Sequence, residues 1–205
     1  IRPLPVVYTV VAPGSTSYCA GTPNVTVRLS DSETGFTYEL YKDGVATTTT
    51  LPGNTGNPLD FTNLDAGVYT VYAYYGTAPL CTTQMSGSVT VTETALPVVT
   101  YNVTGGGEYC SGGSGLSVGL DGSETGVEYQ LLVDLVATGD PVVGTGGAIS
   151  FGLQTTAGNY TVEATTLSTP SCGPSAVNGG ATTDVDITIR PLPVVYTVVA
   201  PGSTS

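Results

Sequence analysis

Ala66-Gly67-Val68-Tyr69-Thr70-Val71-Tyr72-Ala73-Tyr74-Tyr75 is the stretch that decides the fold. In an extended chain, Tyr69, Val71 and Ala73 fall on one side and Thr70, Tyr72 and Tyr74 on the other. This is the period-2 pattern of a half-buried strand. A tyrosine two residues after the glycine fits the corner that ties the E–F turn to the body of a β-sandwich. The stretch returns as Ala157-Gly158-Asn159-Tyr160-Thr161-Val162, with Tyr160, Val162 and Ala164 as its inward set.

Other blocks share the same offset of 91: Tyr18-Cys19 with Tyr109-Cys110, and Ser32-Glu33-Thr34-Gly35 with Ser123-Glu124-Thr125-Gly126. Leu4-Pro5-Val6-Val7 matches Leu96-Pro97-Val98-Val99 at 92, and Leu192-Pro193-Val194-Val195 at a further 96. The 17 residues Ile1–Ser17 recur unchanged as Ile189–Ser205, an offset of 188. The expected organisation is a window on a longer array of period 188. Its parts are module 1 (residues 1–95), module 2 (96–189), and the first strand of the next repeat (190–205).

No 3.6-residue apolar period is visible, and Val, Thr and Tyr dominate, so the fold class expected is all-β. In module 1 the strands expected are Val6–Val11, Asn24–Ser30, Phe36–Lys42, Ala46–Leu51, Pro58–Asn63, Gly67–Tyr75 and Ser86–Thr92. In module 2 they are Val98–Thr104, Gly115–Leu120, Val127–Val133, Val142–Gly144, Ala148–Gly152, Gly158–Thr166 and Thr183–Ile189. About seven short strands per module, separated by Gly, Pro, Asn and Asp turns, predict tandem immunoglobulin-like β-sandwiches. Val25, Val27, Leu29, Tyr38 and Leu40 join the inward set of the first module. Leu116, Val118, Leu120, Tyr129 and Leu131 join that of the second.

Composition removes several function classes. The chain of 205 residues has 16 acidic and 4 basic residues, a formal charge of −12, and no histidine. Without histidine there is no Ser-His-Asp or Cys-His nucleophile pair. One lysine and three arginines cannot neutralise a run of phosphates, so no nucleic-acid partner is expected. No apolar run approaches the ~20 residues of a membrane span, and no membrane insertion is expected.

Cys19 to Cys81 and Cys110 to Cys172 are both 62 positions. Of the three ways to pair four cysteines within the chain, only Cys19–Cys81 with Cys110–Cys172 repeats with the module. That pairing is therefore expected, each bridge at one end of its sandwich. There is no C-x-x-C, so a zinc site is not expected. Disulfides imply an extracellular or cell-surface location.

The carboxylates do not have the arrangement that acid–base chemistry needs. Most fall in turns or on outward strand positions, such as Asp31, Glu33, Asp121 and Glu124, where a solvated acidic surface explains them and a facing pair for glycoside hydrolysis does not. Asp31 with Glu33, or Asp184 with Asp186, could offer oxygens to calcium, but no D-x-[DN]-x-[DN]-G run exists. Neither catalysis nor a required cofactor is expected. Tyr41, Tyr72 and Tyr74 point outward from neighbouring strands of module 1. The aligned residues of module 2 are Leu132, Glu163 and Thr165. An aromatic stripe on one module only is a candidate contact face for a glycan, a protein or a neighbouring module.

These blocks together resemble the tandem immunoglobulin-like repeats of very large secreted proteins of Bacteroidota-type bacteria. The residues that carry the resemblance are Leu-Pro-Val-Val, Gly105-Gly106-Gly107-Glu108-Tyr109-Cys110-Ser111-Gly112-Gly113, the Ser-Glu-Thr-Gly-x-x-Tyr blocks and Ala-Gly-x-Tyr-Thr-Val. The resemblance implies a segment of an adhesin stalk or extracellular filament whose partners are further copies of the same repeat, end to end or side by side. The alternative is a carbohydrate- or protein-binding module that uses the tyrosine face. A strand of about eight residues spans roughly 27 Å, so a straight array should advance roughly 70–90 Å per two modules.

Overall fold

The computed structural model describes residues 4–76 and 82–197. The chain divides into two compact units. Unit 1 comprises Ile1–Leu96 together with Ser168–Cys172, and unit 2 comprises Pro97–Leu167 and Gly173–Ser205.

Unit 1 carries β1 (Val10–Val11), β2 (Ser17–Cys19), β3 (Val25–Leu29), β4 (Phe36–Lys42), β5 (Val45–Pro52), β6 (Leu59–Leu64), β7 (Gly67–Tyr75), β8 (Thr82–Gln84) and β9 (Val89–Thr94). One sheet has the order β1-β3-β6. The other has the order β2-β9-β7-β4-β5, with β8 also pairing with β7. β2 runs parallel to β9, while β4 pairs antiparallel with β7 along its whole length, from Phe36 opposite Tyr75 to Lys42 opposite Tyr69. The inner faces meet in one core: Val25, Val27, Leu29 and Phe61 from the first sheet, and Tyr38, Leu40, Tyr69, Val71 and Ala73 from the second.

Unit 2 repeats the plan with β10 (Val103–Gly105), β11 (Gly107–Cys110), β12 (Leu116–Leu120), β13 (Val127–Val133), β14 (Val136–Ala137), β15 (Val142–Val143), β16 (Ile149–Gln154), β17 (Gly158–Thr166), β18 (Ser175–Ala176) and β19 (Val185–Arg190). Its sheets have the orders β10-β12-β16 and β11-β19-β17-β13-β14, and β15 and β18 pair with β13 and β17. Val118, Leu120, Tyr129, Leu131, Tyr160, Val162 and Ala164 are buried, with Leu116 packed at the edge. Truncating Leu40 or Leu131, each 1% exposed, to Ala removes packed volume worth about 2–5 kcal/mol.

Both corner tyrosines close as expected from Gly-x-Tyr. The Tyr69 hydroxyl donates to the Asp65 carbonyl at 3.0 Å and to its carboxylate at 2.7 Å. The Tyr160 hydroxyl donates to the Thr156 carbonyl at 2.8 Å.

The opening strands differ from expectation. The sequence predicts one strand over Val6–Val11, yet the strand is confined to Val10–Val11, with Thr9 adding an isolated parallel bridge to Ser86. In Leu-Pro-Val-Val the proline is buried in both modules, while Val6, Val7 and Val98 face solvent and Val99 is half-buried. Proline has no N–H for a ladder. The Val6 N–H instead reaches Glu33, and the Val98 N–H reaches Glu124. At the other end of the chain, Val194, Val195 and Tyr196 are 72%, 94% and 84% exposed, and Val198 lies outside the described residues.

Candidate functional site

The Ser-Glu-Thr-Gly blocks are built for holding loops. Ser32 is fully buried; its hydroxyl accepts the Asn54 N–H at 2.9 Å and has the Asn54 and Asn57 carbonyls at 3.0 and 2.8 Å. Ser123 likewise binds the Thr145 N–H and the Gly147 carbonyl. The Glu33 and Glu124 N–H groups donate to the buried phenols of Tyr38 and Tyr129. Gly53 and Gly144 press against this loop so closely that a Cβ would lie 2.1 Å from the Glu33 carbonyl oxygen and 2.0 Å from that of Glu124.

Several other carboxylates are similarly engaged. Asp31 accepts the Ser32 N–H. Asp43 and Asp134, in corresponding hairpin turns, accept the N–H groups of Val68 and Asn159. Asp121 accepts both the backbone and the side-chain N–H of Asn102, which holds its carboxyl below the usual range. Asp184 and Asp186 share the Asn159 amide at 2.6 and 3.1 Å. Arg28–Asp60, Lys42–Asp65 and Arg190–Glu108 are ion pairs. Hydrogen bonding to these bases lowers the pKa of Asp60, Asp65 and Glu108. No group of three or more metal-ligating side chains occurs among the described residues, and Asp31, Glu33, Asp184 and Asp186 spend oxygens on protein donors.

Tyr41, Tyr72 and Tyr74 lie on the outer face of the β4–β7 pair. Glu39 stands opposite Tyr72, Thr37 opposite Tyr74, and Tyr41 opposite Thr70. The Tyr41 and Tyr72 rings meet diagonally, centroids 4.3 Å apart and planes 39° from parallel. The Tyr72 hydroxyl donates to the Gln84 side chain at 3.0 Å. All three rings are half-buried. Burial foremost, then the Glu39 carboxylate, pushes the Tyr41 phenol up. Leu132, at the position aligned with Tyr41, is buried at 7% exposure, so unit 2 lacks the platform.

The cysteine pairing differs from expectation. Cys19 is bonded to Cys172, with Cα atoms 5.6 Å apart, and Cys110 is free and exposed. Cys81 lies outside the described residues. The expected Cys19–Cys81 and Cys110–Cys172 bridges are therefore replaced. Strand direction gives the reason. Tyr18-Cys19 forms a strand of its own, β2, which runs parallel alongside the end of β9. That places Cys19 near the Gly67 end of β7, because Gly67 pairs with Val91. β8 begins at Thr82 opposite Tyr74, towards the other end of the same strand. The unused signal was the repeated Tyr-Cys itself. Tyr18 is buried and accepts the Ala66 N–H, and Tyr109 donates to the Thr155 carbonyl, so each tyrosine fixes an edge strand.

No protein-family model matches the sequence, and no curated protein matches it. Solved structures are similar in fold. The titin I-band fragment I67–I69 aligns with 93% of this chain and 67% of its own length, at 14% identity and a TM-score of 0.55. A calcium-stabilised, ice-binding adhesin of an Antarctic bacterium aligns over 92% of this chain and 50% of its own, at 16% identity and a TM-score of 0.46. The chain thus spans half the length of that solved chain. Fibronectin(III)-like modules of Clostridium thermocellum CbhA align over 93% and 100%, at 14% identity and a TM-score of 0.43. The class is all-β, with tandem immunoglobulin-like sandwiches. No helix among the described residues is long and apolar enough to cross a membrane.

Proposed function

We propose that this chain is a structural repeat segment of an extracellular filament or adhesin stalk, of the very large secreted kind its sequence resembles in Bacteroidota-type bacteria. It acts by spacing and stiffness, without catalysis. The observation that carries this is the matched use of acidic groups in the two repeats. Glu33 and Glu124 hold the opening segments at Val6 and Val98, and Asp43 and Asp134 hold the starts of β7 and β17. Carboxylates committed to backbone N–H groups make loops stiff and are poor candidates for acid–base work. The 17-residue identity at offset 188 supports further copies of the repeat as the partners. The Cys19–Cys172 bridge supports a location outside the reducing cytosol. Electron microscopy of native material tests the proposal. Fibres with a regular axial repeat of roughly 70–90 Å per 188 residues, or a shorter one if the array coils, are expected. Unconnected globular particles would overturn it.

A second function is favoured by one observation, the Tyr41–Tyr72 ring pair flanked by Glu39 and Gln84. Aromatic faces with polar rims suit a sugar ring or a protein side chain. Binding in a glycan array or pull-down that Tyr72→Ala abolishes would support it. Binding unchanged in that variant, or absent from the unaltered chain, would overturn it.

A further inference from the structure

The β4–β7 and β13–β17 pairs carry different outer faces. In unit 1 the face is filled. The Tyr41 and Tyr72 rings pack with centroids 4.3 Å apart, and the Tyr72 hydroxyl donates to Gln84, which stands opposite it across β7 and β8. In unit 2 the corresponding residues are Leu132, Glu163 and Ala176, with Ala176 opposite Glu163 across β17 and β18. Shorter side chains replace two rings and a long amide, and a cavity of about 300 Å³ opens among them. Leu132, Leu135, Ala176 and Val177 give it apolar walls, and Glu163 and Asp184 bring carboxylates to it.

The Glu163 carboxylate is half-buried and has no hydrogen-bonding or ion-pair partner among the described residues. Gln130, directly across on β13, turns its amide to the Leu131 and Thr138 carbonyls instead. Asp184 accepts the Asn159 amide on one oxygen at 2.6 Å, while the other meets the Thr183 hydroxyl at a long 3.3 Å. An unpaired carboxylate beside apolar carbon is best matched by a cation on an aliphatic stem, whose stem packs while its head pairs. Among the described residues the chain's own cations are taken: Arg28, Lys42 and Arg190 pair with Asp60, Asp65 and Glu108. The cation therefore comes from another kind of molecule. Beside the cavity, Leu135 and Val136 are 80% and 66% exposed, so apolar surface continues past it, further than a free amine would cover. We infer that this cavity binds a basic side chain, lysine or arginine, of a partner polypeptide. The stem lies on Leu132, Leu135 and Val177, and the charge meets Glu163 and Asp184.

The test titrates the ¹⁵N-labelled 205-residue chain with the Nα-acetyl methylamides of lysine and arginine and follows amide shifts. The expected result is saturable shifts at Leu132, Leu135, Glu163 and Ala176, with a dissociation constant on the order of 1 mM that rises with salt. The norleucine analogue, which keeps the stem and lacks the charge, should bind about tenfold more weakly, as should the lysine probe to Glu163→Gln. Ala176→Phe fills the cavity, keeps both carboxylates and should abolish the shifts. Well-dispersed spectra show that both variants are folded. Shifts scattered over other carboxylates, equal binding of the norleucine analogue, or full binding by Glu163→Gln would each overturn the inference. Cadaverine binding more tightly than the lysine and arginine probes would put a free amine in place of the partner polypeptide and overturn it too. The filament role is tested separately in the microscope and stands or falls independently of these results.

Discussion

The backbone N–H of Val6 donates to the Glu33 carboxylate at 2.8 Å, so an acidic residue in the loop before β4 pins the segment that opens the module. Val98 and Glu124 repeat the bond at 2.9 Å. Glu33→Ala leaves the Val6 N–H with water as its partner. The expected outcome is much faster amide exchange at Val6 with global stability changed by no more than about 1 kcal/mol, because both groups are near solvent. Unchanged exchange at Val6 would refute the clamp.

Ser32→Ala should be far more costly. The hydroxyl is fully buried and serves the Asn54 N–H and two carbonyls, so its removal strands a buried donor. A loss of about 1–3 kcal/mol is expected in urea unfolding, and Ser123→Ala should lose a similar amount from the second unit.

Tyr69→Phe and Tyr160→Phe keep the ring and delete the corner hydrogen bonds to residues 65 and 156. Each is expected to cost about 1 kcal/mol in the same measurement.

Leu135→Gly is expected to stabilise. Leu135 has φ of +67° in the β13–β14 turn and is 80% exposed. The corresponding residue of the first module is Gly44, with φ of +78°. Relief of the left-handed conformation is worth roughly 1 kcal/mol, with little packing to lose. Calorimetry showing a lowered transition for that unit would contradict this.

Alkali should unfold the chain cooperatively. Burial, the leading cause at each, raises the phenols of Tyr38, Tyr69, Tyr129 and Tyr160, and the Asp65 carboxylate raises Tyr69 further. A folded pKa above the unfolded value means that the contribution is complete below about pH 10 and falls as pH rises beyond it. Each buried phenol then costs up to about 1.4 kcal/mol per pH unit. Phenolate absorbance should rise in step with loss of the sandwich signal; full titration of all tyrosines before unfolding would contradict it.

Features that depend on neighbours along the chain are legible before folding. Alternation in Val25–Leu29, Phe36–Lys42 and Gly67–Tyr75 set which side chains enter the core, because a strand's faces follow from its period alone. Gly-x-Tyr located both corners, since that bond spans only four residues. The repeated blocks showed two modules of one design. Tertiary structure decided what depends on partners distant in sequence. A three- or four-residue edge strand such as Ser17–Cys19 or Gly107–Cys110 has too few positions to show a period, and parallel pairing with the last strand fixes where its cysteine points. The disulfide partner of Cys19 is 153 residues away, and equal spacing of cysteines says nothing about the end of the sandwich at which each one emerges. The valines of Leu-Pro-Val-Val look like core by hydrophobicity, yet proline takes the buried place and a loop carboxylate captures the backbone. Hydrophobic burial is read from a period, whereas strand direction and hydrogen-bond partners exist only once the sheets have closed.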